Sequence, residues 1–92
     1  MTKQTVTVGS VVTYRDSRRV DHVALVTAVW GDTTHDVDTE TRTGNAPSLN
    51  LVYVEPDEAR HDQYGNQLAR ETSVVHLYHQ AAGANCWLLP DG

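Results

Sequence analysis

The stretch VDHVALVTAVW, residues 20–30, decides the fold. Its apolar residues fall on both parities, with Val23, Leu25 and Val29 on one and Ala24, Val26, Ala28 and Trp30 on the other. Valine and other β-branched residues are enriched in strands. A strand that is apolar on both faces either lies at the centre of its sheet or bends so that each half faces the core. We therefore predict a central or bent strand here.

Four further segments have the composition of strands. They are TVTVGSVVTYR (5–15), SLNLVYVE (48–55), ETSVVHLYH (71–79) and CWLL (86–89). Gly9 and Ser10 interrupt the first as a bulge or bend would. Pro56 ends the segment 48–55 and Pro90 ends the segment 86–89, because proline cannot donate a hydrogen bond to a neighbouring strand. The only helix that the sequence favours is one short turn at 57–61, directly after Pro56.

Residues 31–47 and 56–69 are polar, and we predict that both are long loops. Five short strands in a chain of 92 residues fit a small barrel, because a barrel hides its sheet edges by curling. The predicted fold is therefore all-β, a five-stranded barrel formed by one domain over residues 1–92.

The composition excludes several classes of protein. Hydrophobic residues make up 39% of the chain and charged residues 21%, which is a globular balance. No apolar run approaches the roughly 18 to 20 residues of a membrane helix, and no leader-like segment follows Met1, so we expect a soluble protein without a membrane partner. The net charge of −5 argues against a nucleic-acid partner.

Cys86 is the only cysteine. A single cysteine cannot form an internal disulfide, and free cysteine behaves most often as a small buried hydrophobe. A nucleophilic role would need a base close to the thiol, with His22 or His76 as candidates, but no spacing in the sequence places either of them there. We predict a packed thiol and no catalytic residue.

The histidines do not form a metal motif. His76 and His79 lie three apart on a predicted strand, which would turn them to opposite faces. His35 with Asp36 and Asp38 matches no calcium-loop spacing. We predict neither a metal site nor a cofactor.

Trp30 and Trp87 each end an apolar strand, and each carries an indole N–H that needs an acceptor. The apolar strand before Trp30 favours a core position for it, whereas Trp87 fits a core position or a contact with a partner equally well. Tryptophan and arginine are enriched where proteins bind each other. The candidate partner-binding residues are therefore Trp87, Leu89, Trp30, Arg15, Arg18 and Arg19, the three arginines being otherwise a solvated turn.

The order of these segments resembles a family of small proteins of tailed bacteriophages. The matching positions are Gly9, Val12 and Tyr14; Ala24, Val26, Val29 and Trp30; Leu49, Asn50, Leu51 and Val52; Ser73 and Val74; and Trp87 and Pro90. The resemblance covers most of the chain outside the two polar segments. It implies an SH3-like barrel and a virion component, such as a capsid decoration or head-tail accessory protein. It supplies no catalytic residue.

The leading hypothesis is therefore a non-enzymatic protein that docks on a phage capsid or connector protein, or on copies of itself, and that resides in the virion. The alternative is a binding module in the host cytoplasm that acts on a host protein or on nucleic acid. A third hypothesis is a barrel-type ribonuclease, but the expected Arg-Pro on the second strand is replaced here by Asp21 and His22.

Overall fold

The computed structural model describes residues 2–54, 61–62, 65–66, 68–79 and 84–90. Within these residues the chain forms strands and a single turn of 3₁₀ helix. The strands are β1 (Thr2–Thr5), β2 (Val11–Arg15), β3 (Asp21–Trp30), β4 (Thr34–Asp38), β5 (Thr43–Gly44), β6 (Ser48–Val54), β7 (His61–Asp62), β8 (Gly65–Asn66), β9 (Leu68–Val74) and β10 (Cys86–Leu88). The 3₁₀ helix spans Leu77–His79.

Five strands form the main sheet in the order β10–β2–β3–β6–β9, and all neighbours are antiparallel. The two edges of this sheet meet, since His76, just after β9, forms a parallel bridge with Trp87 of β10. The Trp87 backbone N–H also donates to the Val75 carbonyl at 2.9 Å. This contact curls the sheet into a barrel. The prediction of a small, five-stranded, all-β barrel is confirmed.

β3 is the central strand, and it also changes the face that it turns inward. Its register with β6 shifts between Val26 and Ala28. Ala24 and Val26 are buried before the shift, and Val29 packs against the core after it. A bulge has this effect because one inserted residue reverses the alternation of side chains. Both parts of the prediction for residues 20–30 are confirmed.

Two predicted strands have different boundaries. The segment 5–15 divides at Gly9, which adopts a positive φ of 93° and donates its N–H to the Val26 carbonyl at 2.8 Å. β1 and β2 consequently belong to different sheets. The segment 71–79 leaves the sheet after Val74, where Ser73 has a positive φ of 53°, and its last three residues form the 3₁₀ helix.

The prediction of a loop at 31–47 is wrong, because this segment contains β4 and β5, which join β1 in a second sheet. Its inward side chains are His35 and Val37, which are 5% and 1% exposed. With a histidine in one of the two buried positions of β4, the sequence shows no apolar alternation. Gly44 permits the pairing with β4, since a Cβ there would lie 2.6 Å from the Asp36 carbonyl oxygen.

The segment 56–69 contains the short antiparallel pair β7 and β8 and the first residues of β9. The rest of this predicted loop, including residues 57–60 of the predicted helical turn, lies outside the described residues.

The barrel encloses one apolar core. Its buried members are Val6, Val12, Tyr14, Ala24, Val26, Leu49, Leu51, Val74 and Trp87. Trp87 is the largest fully buried side chain, and Cys86 is buried next to it, as predicted. Across the described part of the chain, no helix has the length and apolar character needed to span a bilayer.

Candidate protein-docking face

The outward side of the main sheet carries a group of exposed apolar side chains. We call this group the outer apolar face; it consists of Val11, Val23, Leu25, Val52, Val54 and Leu68. The most exposed members are Val23 at 78% and Leu68 at 68%. Their strand neighbours Val12, Ala24 and Leu51 are buried, as the alternation of a strand requires.

The register of the sheet brings these side chains together. Val11 pairs with Leu25, and Leu25 pairs with Val52, so that one row crosses β2, β3 and β6. The same row continues to Arg70 of β9, which pairs with Val52. In a second row Val54 pairs with Leu68. Val23 lies two residues from Leu25 on β3, and Val54 lies two residues from Val52 on β6, so the second row adjoins the first on the same side of the sheet. The six apolar side chains therefore form one surface.

Trp30 lies on the same side of the sheet, and the prediction of a core position for it is wrong. The bulge in β3 turns Val29 inward, so the next residue points out, and Trp30 is 59% exposed. Its Nε1–H donates to Asn50 Oδ1 at 2.9 Å, and the Ser73 backbone N–H donates to the same oxygen at 3.0 Å. The indole is therefore held in one orientation although most of it faces solvent.

A recess of about 390 Å³ adjoins the outer apolar face at Val52 and is also lined by Asn50, the hydrogen-bond partner of Trp30. Its lining includes Thr27, Asn50, Val52, Arg70, Glu71 and Thr72. It forms where the sheet is irregular, because the register of β6 with β9 also shifts, between Leu49 and Leu51. Val23, Leu25 and Arg70 are not among the partner-binding residues predicted from the sequence. For Val23 and Leu25 the available signal was the apolar content of both parities in residues 20–30.

Trp87 lies inside the barrel and does not take part in a surface contact. Its side chain is 0% exposed, and its Nε1–H donates to the Pro47 carbonyl at 2.9 Å. The His76 ring packs edge-on against it at 4.7 Å between centroids. Leu89 is half-buried and packs against the same core. Closure of the barrel by β10 thus removes Trp87 from the candidate partner surface, whereas Leu89 stays partly exposed.

Arg15 is paired within the chain. Its Nε donates to Asp21 Oδ1 at 2.8 Å and its Nη2 to Asp21 Oδ2 at 3.2 Å, a bidentate ion pair at the end of β2 and β3. This geometry satisfies the guanidinium and the carboxylate together.

Arg18 and Arg19 are exposed in the turn between β2 and β3, away from Trp30 at the other end of β3. Asp16 organises this turn: its Oδ1 accepts the backbone N–H groups of Arg18 and Val20, and its Oδ2 lies 2.9 Å from His22 Nε2. The hydrogen bond with His22, together with these two amides, holds the pKa of the Asp16 carboxyl below its usual range. The structure does not bring the arginine turn and Trp30 together.

Cys86 is fully buried, and burial raises the pKa of its thiol. A raised pKa keeps the sulfur protonated, and a protonated thiol is a poor nucleophile. The two histidines considered as its base make other contacts. His22 bonds to Asp16, and His76 packs between Trp87 and Tyr78 while its Nδ1 accepts the Tyr78 N–H at 3.1 Å.

The prediction that His76 and His79 point to opposite faces is wrong. The 3₁₀ helix brings their ring centroids to 6.3 Å, because residues three apart eclipse in that helix. Burial lowers the pKa of His76 to about 4, with smaller contributions from His79 and His35. Among the residues that the structure describes, no three His, Cys, Asp or Glu side chains are grouped as metal ligands.

Comparisons with known proteins add no relative. No protein-family model matches the sequence, no curated protein matches it, and no solved structure matches the fold.

Proposed function

We propose that this protein is a non-enzymatic docking module that binds another protein through the outer apolar face and Trp30. The observation that carries the proposal is a continuous exposed apolar surface beside a tryptophan whose orientation is fixed by Asn50. Contiguous exposed apolar surfaces commonly mark interaction sites. An indole that is already oriented loses little entropy when a partner packs on it.

The size of the surface favours a modest affinity for each copy. Strand spacing and rise give the outer apolar face and Trp30 about 20 Å by 20 Å, or about 400 Å². A standard protein interface buries about 800 Å² on each partner. A contact of half that size is weak alone and becomes strong when many copies bind one assembly. This size is the reason for proposing that the protein acts in many copies.

We also propose that this assembly is a virion of a tailed bacteriophage, with a capsid or connector protein as the partner. The support is the resemblance of the sequence to small phage proteins. Mass spectrometry of purified particles of the encoding phage should detect the chain. Its complete absence from particles would refute the virion location. The docking proposal would then depend on the effect of substitutions on the outer apolar face.

Substitutions on the outer apolar face test the docking itself. Val23→Lys places a charge at the most exposed position of the face, and Val20→Lys places the same charge in the turn between β2 and β3, where Val20 is 48% exposed. We expect Val23→Lys to lose association with the assembly and Val20→Lys to retain it, with equal melting temperatures. Equal association of both variants would contradict docking through this face.

A further inference from the structure

We propose that the partner segment carries a carboxylate side chain among apolar ones, and that Arg70 binds this carboxylate at the recess next to Val52. The inference rests on the proposed docking function and adds the chemistry of the partner. Arg70 lies at the end of the row formed by Val11, Leu25 and Val52, so a partner that covers the row also covers Arg70.

The two arginines of the main sheet differ in their partners. Arg15 is neutralised by Asp21 in a bidentate ion pair. Arg70, which is exposed, makes no ion pair or side-chain hydrogen bond with any of the residues described in the structure. It therefore retains a full positive charge and a free fork of donors, which match a carboxylate in geometry and charge.

The acidic residue nearest to Arg70 in the chain does not neutralise it. Glu71 has the opposite parity on β9 and pairs with the buried Leu51. Its charge contributes to the raised pKa of Tyr14, whose side chain is buried in the core, although desolvation is the larger cause. Glu71 also lines the recess, but it makes no ion pair with Arg70, which follows the parity of Val52 on the outer side of the sheet.

The recess gives a carboxylate a place to bind. Its volume of about 390 Å³ admits a side chain with accompanying water. Thr27 and Thr72 line it together with Arg70 and offer hydroxyl groups to the second carboxylate oxygen. Val52 lines the same space, which favours an apolar neighbour on the partner.

The same arginine does not make a nucleic-acid site. Binding to a phosphate backbone depends on several cations in a row, each of which releases counterions. The outer face offers Arg70 as its one unpaired arginine among the described residues, and the chain carries a net charge of −5. The surroundings of Arg70 are apolar side chains and threonines, so the proposed occupant is a protein segment.

Selection from a random peptide library displayed on yeast tests the inference with the full chain. We expect the wild-type protein to enrich peptides in which Asp or Glu stands beside aliphatic or aromatic residues. Arg70→Glu should exchange that preference for Lys or Arg, and peptides selected on the wild type should bind it about tenfold more weakly or worse. Arg18→Glu makes the same charge change in the turn and should leave the selection unchanged.

The outcomes separate the inference from the function on which it rests. Loss of all binders on Trp30→Ala, with no Asp or Glu enrichment on the wild type, would keep the docking function and overturn the role of Arg70. Equal shifts for Arg70→Glu and Arg18→Glu would overturn it as well, because only net charge would then matter. Wild-type binding to single-stranded DNA that Arg70→Glu abolishes would replace the proposed carboxylate by a phosphate. Equal melting temperatures of the variants show that each has folded.

Discussion

Trp87 in β10 and Trp30 at the end of β3 belong to the same sheet, yet one lies in the core and the other on the surface. Each indole N–H donates at 2.9 Å, Trp87 to the backbone carbonyl of Pro47 and Trp30 to the side chain of Asn50. A hydrogen bond from the indole N–H therefore does not indicate whether the ring is buried. The neighbours decide it, because β10 closes the barrel around Trp87 while the bulge in β3 turns Trp30 outward.

The two regions therefore have different roles, one in folding and the other in binding. The interior around Trp87 is packed on every side, so changes there should cost folding free energy. The outer face around Trp30 is rigid but uncovered, so changes there should cost binding with little effect on folding. Substitutions in the two regions test this contrast between folding and binding.

The largest effect is expected when residues 86–92 are deleted. The deletion removes β10, opens the barrel between β2 and the end of β9, and removes the largest buried side chain. We expect no cooperative thermal transition in circular dichroism. A truncated protein with an unchanged melting temperature would show that this end is only a tail and that the interior does not depend on it.

Trp87→Ala should lower the free energy of unfolding by about 3–5 kcal/mol, because it leaves a cavity in the core. Domains of this kind are stable by only about 5–15 kcal/mol, so the variant should be close to unfolded. Urea denaturation measures the change. A loss below about 1 kcal/mol would mean that the surroundings of Trp87 are no better packed than those of Trp30.

Acid should weaken the interior through His76. Its pKa is about 4 in the fold and 6.5 in the unfolded chain, so the unfolded state binds the extra proton between these values. The stability contributed by neutral His76 is complete above pH 6.5 and is lost as the pH falls to about 4, by at most about 1.4 kcal/mol per pH unit. Urea denaturation across this window should show the slope, and His76→Gln should reduce it by one proton. An unchanged slope would contradict a buried neutral His76.

Trp30→Ala should have the smallest effect on folding, below about 1 kcal/mol, because the ring is mostly exposed and Asn50 keeps its bond to Ser73. Association with the partner assembly should nevertheless be lost. The two measurements are urea denaturation and co-purification with the assembly. Retained association, or a stability loss as large as that of Trp87→Ala, would remove the contrast between the two regions.

The main sheet could be predicted from the sequence because its strands carry local signals. Valine-rich runs indicated β2, β3, β6 and only the second half of β9, and Pro90 indicated the end of the last strand. β4 escaped prediction because its inward positions are His35 and Val37, so its pattern reads as polar. The 3₁₀ helix was not predicted because the valine and histidine residues of segment 71–79 resemble a strand. The positive φ of Ser73 also leaves no signal in the residue type.

The candidate site could be predicted only in part. The sequence indicated Trp30 as a candidate for the core or for a partner contact, but its exposure depends on the bulge between Val26 and Ala28 of the same strand. Arg70 had no signal at all, because its significance lies in having no ion-pair partner among the residues that the structure describes.

The sequence by itself determined the all-β class, the five barrel strands and the burial of Cys86, because alternation, β-branched residues and prolines act over a few residues. The tertiary structure alone decided which tryptophan is enclosed, which arginine is neutralised and which valines form one surface. Those properties depend on register and on the meeting of β10 with the end of β9, contacts between residues far apart in the chain. A shift of one residue in the register of a strand moves its buried side chains to the outer face of the sheet and its exposed ones to the inner face.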